Sequence, residues 1–294
     1  MQHILSEYIA LLPPSVQEVL EVLLRNPLYV SYATTALSAV TIGYLLYCTR
    51  QIPFLDPKEF KPLRLVEKVF VNHNTMWMRF ALSTKHQPLG LPIGQHMSFL
   101  AKDENGKDIY RSYTPISDDQ QRGSVDFVIK VYPQGKMSQA LKRLPVGQCI
   151  KVKGPKGRLE YKPNMKKHIG MLAGGTGVTP MYQVLNAILK NPADKTQVSL
   201  IFGNIAEEDI LLRKELDSLA QAHPGQLKVL YVLNNPPKDW KGGAGFITPD
   251  MIKSTLPAPG PDSLVLRCGP PPMLDAMKKH LDSLGYSADM QFQF

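Results

Sequence analysis

Residues 111–114 read Arg-Ser-Tyr-Thr at the end of a strand-like stretch. The Tyr113 ring can lie against a flat heterocycle, and the Thr114 hydroxyl can hydrogen-bond ring heteroatoms. The Arg111 guanidinium can take a phosphate through two parallel bonds. Further on, Gly135-Lys136-Met137-Ser138 opens an amphipathic pattern with Met137, Ala140, Leu141 and Leu144 on one face. Free N–H groups at such a helix start attract anions. Together these residues suit a cofactor with a flat ring at one end and a diphosphate at the other. Taken singly, they also read as a strand pair, a turn and a capped helix.

Two later stretches carry chemistry of a related kind. Gly174-Gly175-Thr176-Gly177-Val178-Thr179-Pro180 lies between a strand-like and a helix-like segment. Its glycines let backbone approach a ligand, and the helix start favours phosphate. Pro180 stands where a third glycine of G-x-G-x-x-G would fall, and proline is itself a helix-start residue. Cys268-Gly269-Pro270-Pro271-Pro272-Met273 closes the last apolar strand, where open α/β sheets bind ligands. A bare glycine turn and a buried strand-end cysteine are the plain structural readings of these two stretches.

The four motifs, in this order, resemble those of the NADH–cytochrome b5 reductase family, over about residues 60 to 294. The resemblance implies FAD and NADH as cofactors. It assigns Arg111, Ser112, Tyr113, Thr114, Ile129, Tyr132, Gly135, Lys136, Met137, Ser138 and Thr179 to FAD. It assigns Lys130, Gly175, Thr176, Gly177, Asn234, Cys268, Gly269, Pro270, Pro271 and Met273 to NADH. Thr114, Cys268 and His73 are the candidate catalytic residues. In the family the cysteine orients the nicotinamide ring and is no nucleophile. His73, in Val-Asn-His-Asn-Thr, matches a histidine that supports the flavin through hydrogen bonds, and Phe292-Gln293-Phe294 matches an aromatic end packed near the flavin domain. Two positions depart from the animal pattern: Ser112 replaces a proline, and Asn234 an aspartate on the adenosine ribose. Ala206-Glu207-Glu208-Asp209 offers acid and no arginine, which disfavours a ribose 2′-phosphate and favours NADH over NADPH.

The implied activity is hydride transfer from NADH to FAD, followed by single-electron transfer to cytochrome b5. A small iron protein serving tRNA and diphthamide modification is a further implied acceptor. No acid–base dyad is required, because cofactors carry such chemistry and the protein orients them. Two alternatives stay open. One is a same-fold reductase with another acceptor, such as the reductase part of nitrate reductase. The other is a membrane-tethered nucleotide-binding scaffold without activity, against which the four intact motifs argue.

The chain has 294 residues and a net charge of +9. Residues 1–50 hold Glu7, Glu18, Glu21, Arg25 and Arg50, a net −1, which leaves +10 on the remainder. That excess suits an acidic protein or anionic lipid. No basic run or nucleic-acid motif accompanies it, so nucleic acid is excluded as a partner. Three cysteines, Cys48, Cys149 and Cys268, are too scattered for a disulfide framework and indicate a reducing compartment. The seven histidines show no metal-ligand spacing. A monomer is expected.

These residues need elements to hold them. An amphipathic run over residues 16–24 precedes 24 uncharged residues between Arg25 and Arg50. Leu28 to Tyr47 would make a helix of about 30 Å, the thickness of a hydrocarbon core, with Tyr29, Tyr32, Tyr44 and Tyr47 near its ends. The spacing predicts a transmembrane anchor over about 28–47 within an N-terminal segment of 1–49. Arg50, Lys58, Lys61, Arg64 and Lys68 follow it, so the positive-inside rule puts the catalytic body in the cytosol. Endoplasmic reticulum and mitochondrial outer membrane both remain open. Residues 50–60 read as a linker.

Strands are predicted at 63–71, 75–82, 95–101, 109–114, 124–132 and 148–154, a six-stranded antiparallel β-barrel spanning 61–160 as the FAD domain. Residues 161–167 form the interdomain link. From 168 to 294 strands at 169–173, 197–203, 227–233 and 263–268 alternate with helices at 179–190, 207–221, 249–255 and 272–284. That alternation predicts an α/β doubly wound, Rossmann-like NADH domain.

Overall fold

The amphipathic run folds as helix α1 (Pro14–Arg25), with proline at its first position, where no N–H partner is needed. Helix α2 (Pro27–Thr49) has 23 residues and no charged side chain. This computed structural model describes residues 13–49 and 52–294. Glu7, Arg50 and the first two residues of the expected linker lie outside the described residues. Hydroxyls of α2 bond back one turn, from Thr34 to Val30 O at 2.9 Å and from Thr41 to Leu37 O at 2.8 Å. Among the described residues no helix is long and apolar enough to cross a membrane. At about 34 Å the length of α2 is sufficient; its tyrosines, threonines and serines dilute its apolar character.

The expected linker is corrected in its second half. Phe54 and Leu55 are buried in the first domain's core, and their N–H groups donate to Pro88 O and Leu89 O. Two large apolar side chains have more to gain inside than on a tether.

Six strands build the first domain: β1 (Lys61–Asn72), β2 (Thr75–Ala81), β3 (His96–Lys102), β4 (Asp108–Tyr113), β5 (Ser124–Lys130) and β6 (Cys149–Lys156). They form one antiparallel sheet in the order β4-β3-β6-β1-β2-β5. β3 and β5 stand four places apart, yet the Phe99 and Phe127 rings lie 5.1 Å apart. The sheet therefore curls on itself around a core of Phe80, Phe99 and Phe127. No ladder joins β4 to β5; Ile116 N–H donates to Asp126 O and Asp126 N–H to Ser117 Oγ across the gap. The short helix α3 (Lys136–Arg143) buries Met137 and Leu141 in the same core.

β5 breaks the alternation expected of a barrel strand, because Val125 to Ile129 are all buried. Phe127 and Ile129 face the first domain's core, whereas Val128 belongs to the core of the second. The strand thus serves both domains.

The second domain is wound around a parallel sheet in the order β10-β9-β8-β7-β11-β12. Its strands are β7 (His168–Gly174), β8 (Gln197–Asn204), β9 (Leu227–Leu233), β10 (Gly243–Ala244), β11 (Ser263–Cys268) and β12 (Gln291–Gln293). Helices α4 (Val178–Lys190) and α5 (Arg213–Ala222) cover one face through Met181, Val184, Ile188 and Leu216. Helices α6 (Pro249–Thr255) and α7 (Pro271–Ser283) cover the other through Ile252, Met277 and Leu281. Strand β12, absent from the sequence prediction, brings Phe292 and Phe294 onto the core that also touches Trp77 and Val128.

The helix predicted over 207–221 is corrected. A 3₁₀ turn occupies Glu207–Asp209, and α5 starts only at Arg213, after Leu212 at φ 55°. Ile210 and Leu211 are both buried between them.

Candidate functional site

β4 presents the first motif. Arg111 and Ser112 are exposed, and Tyr113 packs on Phe99 with ring centroids 4.8 Å apart. Burial pushes the Tyr113 hydroxyl well up, so it stays a neutral phenol. The Arg111 guanidinium donates to the carbonyl of its neighbour Tyr110 at 2.8 Å. Thr114 follows the strand, half-buried.

The second motif lies at the start of α3. No side chain caps that helix, which leaves its first N–H groups for another acceptor. Ser138 Oγ accepts from Tyr132 N–H at 3.1 Å and donates to Gly135 O at 2.9 Å, fixing the turn. Lys136 pairs with Asp103 at 2.8 Å, beside a cleft of about 260 Å³ that also holds Arg143. Ile129 and Met137, both expected to meet FAD, have their side chains in the first domain's core. Only their backbone is available to a ligand, because the pleat and the helix face turn those side chains inward.

The two nucleotide motifs meet at the C-terminal edge of the parallel sheet, where β7 and β11 are neighbours and the strand order reverses. A Cβ on Gly177 would stand 2.1 Å from Cys268 O, and one on Gly174 would stand 2.4 Å from Met273 Sδ. Glycine is required at position 177, where the neighbour is backbone, whereas at position 174 the flexible Met273 side chain could give way. Thr176 and Gly175 are half-buried at the same turn, and Thr179 is buried in the first turn of α4, its hydroxyl donating to Thr176 O at 3.1 Å. Burial pushes the Cys268 thiol up to about 11, so it is no thiolate nucleophile near neutral pH. Gly269 touches Met273, while Pro270 and Pro271 are exposed at the start of α7. Asn234 lies at the end of β9, exposed, with its amide donating to Gly245 O.

Lys130 ends β5 and pairs with Asp209 at 2.8 Å. His73 sits on the turn between β1 and β2, with Nε2 2.7 Å from the Asn74 amide and 4.0 Å from Asp209 Oδ1. None of its polar contacts among the described residues is with Arg111–Thr114. The structure therefore gathers Lys130 and His73 at the domain boundary, around Asp209.

Three features escaped the sequence reading. Asp209 was read only as acidity against a 2′-phosphate. Asn204, at the end of β8, is buried with both amide atoms unpartnered. Phe246 is 82% exposed and Ile205 57% exposed beyond the strand ends. The glycines around Phe246 in Gly-Ala-Gly-Phe mark a turn in the sequence, but its exposure only the fold shows. The nearby Arg213 is held by Glu207 and lies over the Tyr231 and Trp240 rings. That pairing leaves no unopposed arginine for a 2′-phosphate in this group.

Comparison with known proteins agrees with this geometry. Residues 62–161 match the oxidoreductase FAD-binding domain, and residues 171–279 match the oxidoreductase NAD-binding domain. The chain is 56% identical over 240 residues to an NADH-cytochrome b5 reductase 1 of Dictyostelium discoideum, covering 82% of this chain and 83% of that one. It is 48% identical to an Arabidopsis thaliana protein of the same name, covering 89% and 93%. The cytochrome b5 reductase domain of Ulva prolifera nitrate reductase superposes with a TM-score of 0.79 at 40% identity, covering 83% of this chain and all of that domain.

Proposed function

The chain belongs to the NADH–cytochrome b5 reductase family of FAD- and NADH-dependent oxidoreductases, and from that premise we propose that it reduces cytochrome b5, one electron at a time, at the expense of NADH. One observation carries the reading. The turn Gly174–Gly177 and the loop after Cys268 touch at the point where the sheet's strand order reverses, and β5 of the first domain packs on that same turn.

The residues fit both cofactors. The uncapped start of α3 and the exposed Arg111 suit a diphosphate, while Lys136 and Arg143 of the α3 cleft are paired with Asp103 and Glu104. The unpartnered Asn204 amide and the close glycine loops suit a nucleotide at the strand ends. Bound FAD supplies the conversion between a two-electron donor and a one-electron acceptor. Arg111 and the α3 amides bind it, and Tyr113, braced by Phe99, backs its flat ring. Thr114 offers its hydroxyl to the ring edge. Cys268, a neutral thiol, orients the nicotinamide. Lys130, Thr176 and Gly177 hold the nucleotide.

The excess of ten positive charges after residue 50 supports an acidic haem protein as acceptor, steered electrostatically. Its reduction rate falls as salt rises. A small iron protein as second acceptor rests on the resemblance. The uncharged helix α2 supports anchoring: Leu37, Val40 and Ile42 are exposed along it, and Thr34, Thr35 and Thr41 satisfy their hydroxyls within the helix. We place the body on the cytosolic side of the endoplasmic reticulum or mitochondrial outer membrane, as a monomer. Alkaline carbonate extraction of membranes tests the anchor; release into the soluble fraction would remove it.

Stopped-flow absorbance of the full chain in detergent tests the function. NADH bleaches the flavin band quickly, NADPH slowly, and added cytochrome b5 is then reduced. Bleaching without cytochrome b5 reduction would leave the flavoenzyme and discard the acceptor.

A further inference from the structure

Resting on the assignment of Lys130 to the nicotinamide nucleotide, we infer that Asp209 is a positioning residue for NADH, holding the Lys130 ammonium at the crevice from across the domain boundary. Lys130 lies on the first domain and Asp209 on the second, 79 positions apart. Their side chains are only 13% and 9% exposed, and Nζ to Oδ1 is 2.8 Å. The pair sits at a nucleotide-binding edge: β5 packs on the Gly175–Gly177 turn that ends β7, and Glu207–Asp209 is the turn that follows β8.

Asp209 is itself held from both sides. Its Oδ2 accepts from Ala206 N–H at 3.2 Å, and its Oδ1 accepts from the Asn74 amide at 3.4 Å. Asn72 donates to Glu208 O at 3.0 Å, so the β1–β2 turn clamps the same segment. His73 stands 3.9 Å from Glu208 and 4.0 Å from Asp209, at the exposed rim. Burial pushes the Asp209 carboxyl up, but the Lys130 ammonium, the Asn74 amide and the Ala206 N–H together outweigh burial and hold it below the usual carboxylate range.

A lysine has three donors on a flexible stem. One donor is committed to Asp209, and two remain for a ligand. A lysine ordered in advance loses less freedom when the nucleotide binds. A carboxylate facing an incoming diphosphate would repel it; one already neutralised by Lys130 directs the spare donors of the ammonium into the crevice. The placement also ties nucleotide affinity to the closed arrangement of the two domains.

The test uses the FAD-loaded full chain with Asp209→Asn, Asp209→Glu, Lys130→Met and the double variant Asp209→Asn/Lys130→Met. The readouts are NAD+ binding, followed by the flavin absorbance change, KM against kcat for NADH, flavin content and melting temperature. Asp209→Asn weakens NAD+ binding and raises KM about tenfold, the loss of one charge-assisted bond, with kcat and flavin content nearly unchanged. Asp209→Glu recovers most of it, and in the Lys130→Met background Asp209→Asn adds nothing further. A lowered melting temperature with unchanged NAD+ affinity would make Asp209 merely structural and overturn the inference. Full additivity of the two losses would also overturn it. Unchanged NAD+ affinity in Lys130→Met would defeat the Lys130 assignment itself, and the inference with it.

Discussion

The carbonyl oxygen of Cys268 lies 2.1 Å from the position that a Cβ on Gly177 would occupy. Both atoms belong to backbone, so neither can swing aside. Gly177→Ala must push the two strand-end loops apart, and displacement of reacting groups by about 1 Å costs roughly a hundredfold in rate. We expect kcat/KM for NADH to fall by about that factor, while the purified protein stays yellow. Loss of flavin alongside activity would show that the turn supports the first domain instead.

Arg111 separates charge from geometry. Its guanidinium is exposed, with only the Tyr110 carbonyl as its hydrogen-bond partner among the described residues. Arg111→Lys keeps the charge and removes the fork that matches a phosphate. The variant should fold with an unchanged melting temperature as apoprotein and lose flavin on gel filtration. Flavin retention equal to that of the parent protein would place the diphosphate elsewhere.

Asp118 links the domains through Lys190. Burial pushes its carboxyl up, but the Lys190 ammonium and the Gln120 N–H outweigh burial and hold it down to about 2. The folded value lies below the unfolded one, so Asp118 adds stability above about pH 4. That contribution fades as the pH falls towards about 2. The urea midpoint gap between the parent and Asp118→Asn should therefore narrow from pH 6 to pH 3. Both proteins should carry Asp119→Asn, because burial and the Asp118 neighbour push Asp119 up. A gap independent of pH would mean that the contact is steric.

Cys149 is exposed and Cys268 is half-buried, with its thiol pushed up to about 11. At pH 8 the Cys268 thiolate fraction is smaller than that of an ordinary cysteine by roughly a hundredfold. Iodoacetamide should label Cys149 before Cys268, as read by peptide mass spectrometry, and activity should survive that labelling. Early labelling of Cys268 would show a more open crevice.

Arg79 of β2 and Asp126 of the shared strand β5 form two hydrogen bonds of 2.8 Å, with the Asp126 side chain 9% exposed. Arg79→Met leaves that carboxylate unpaired; because Arg79 is 40% exposed and water can reach the site, the cost is about 1–2 kcal/mol. Replacing both residues with apolar ones should recover much of the loss in chemical denaturation. Equal destabilisation by the single and double changes would assign the cost to packing on Trp77, over which Arg79 lies.

Much of the molecule was legible in the residues alone. All six strands of the first domain and the four central strands of the second lie within two residues of the predicted spans. The chemistry-bearing motifs sit at strand ends and helix starts, as predicted. These are local properties. Side-chain period, glycine and proline placement, and helix-start residues act over one or two turns of chain, so a short window records them.

What escaped the sequence depends on contacts between distant segments. Nothing near Val128 says that its side chain leaves the first domain for the core of the second. The break at Leu212, at φ 55°, and the burial of Ile210 and Leu211 before it have no local mark in the sequence. Phe54 and Leu55 left their linker because a core was there to receive them. Lys130 could be read as a free strand-end lysine until the fold brought Asp209 to it. The sequence by itself determined most of the elements, the motifs and the cofactors they resemble a cradle for. Only the tertiary structure decided which charges face which, because Coulomb and hydrogen-bond partners are chosen by distance in space, and 79 residues of intervening chain carry no local trace of that distance.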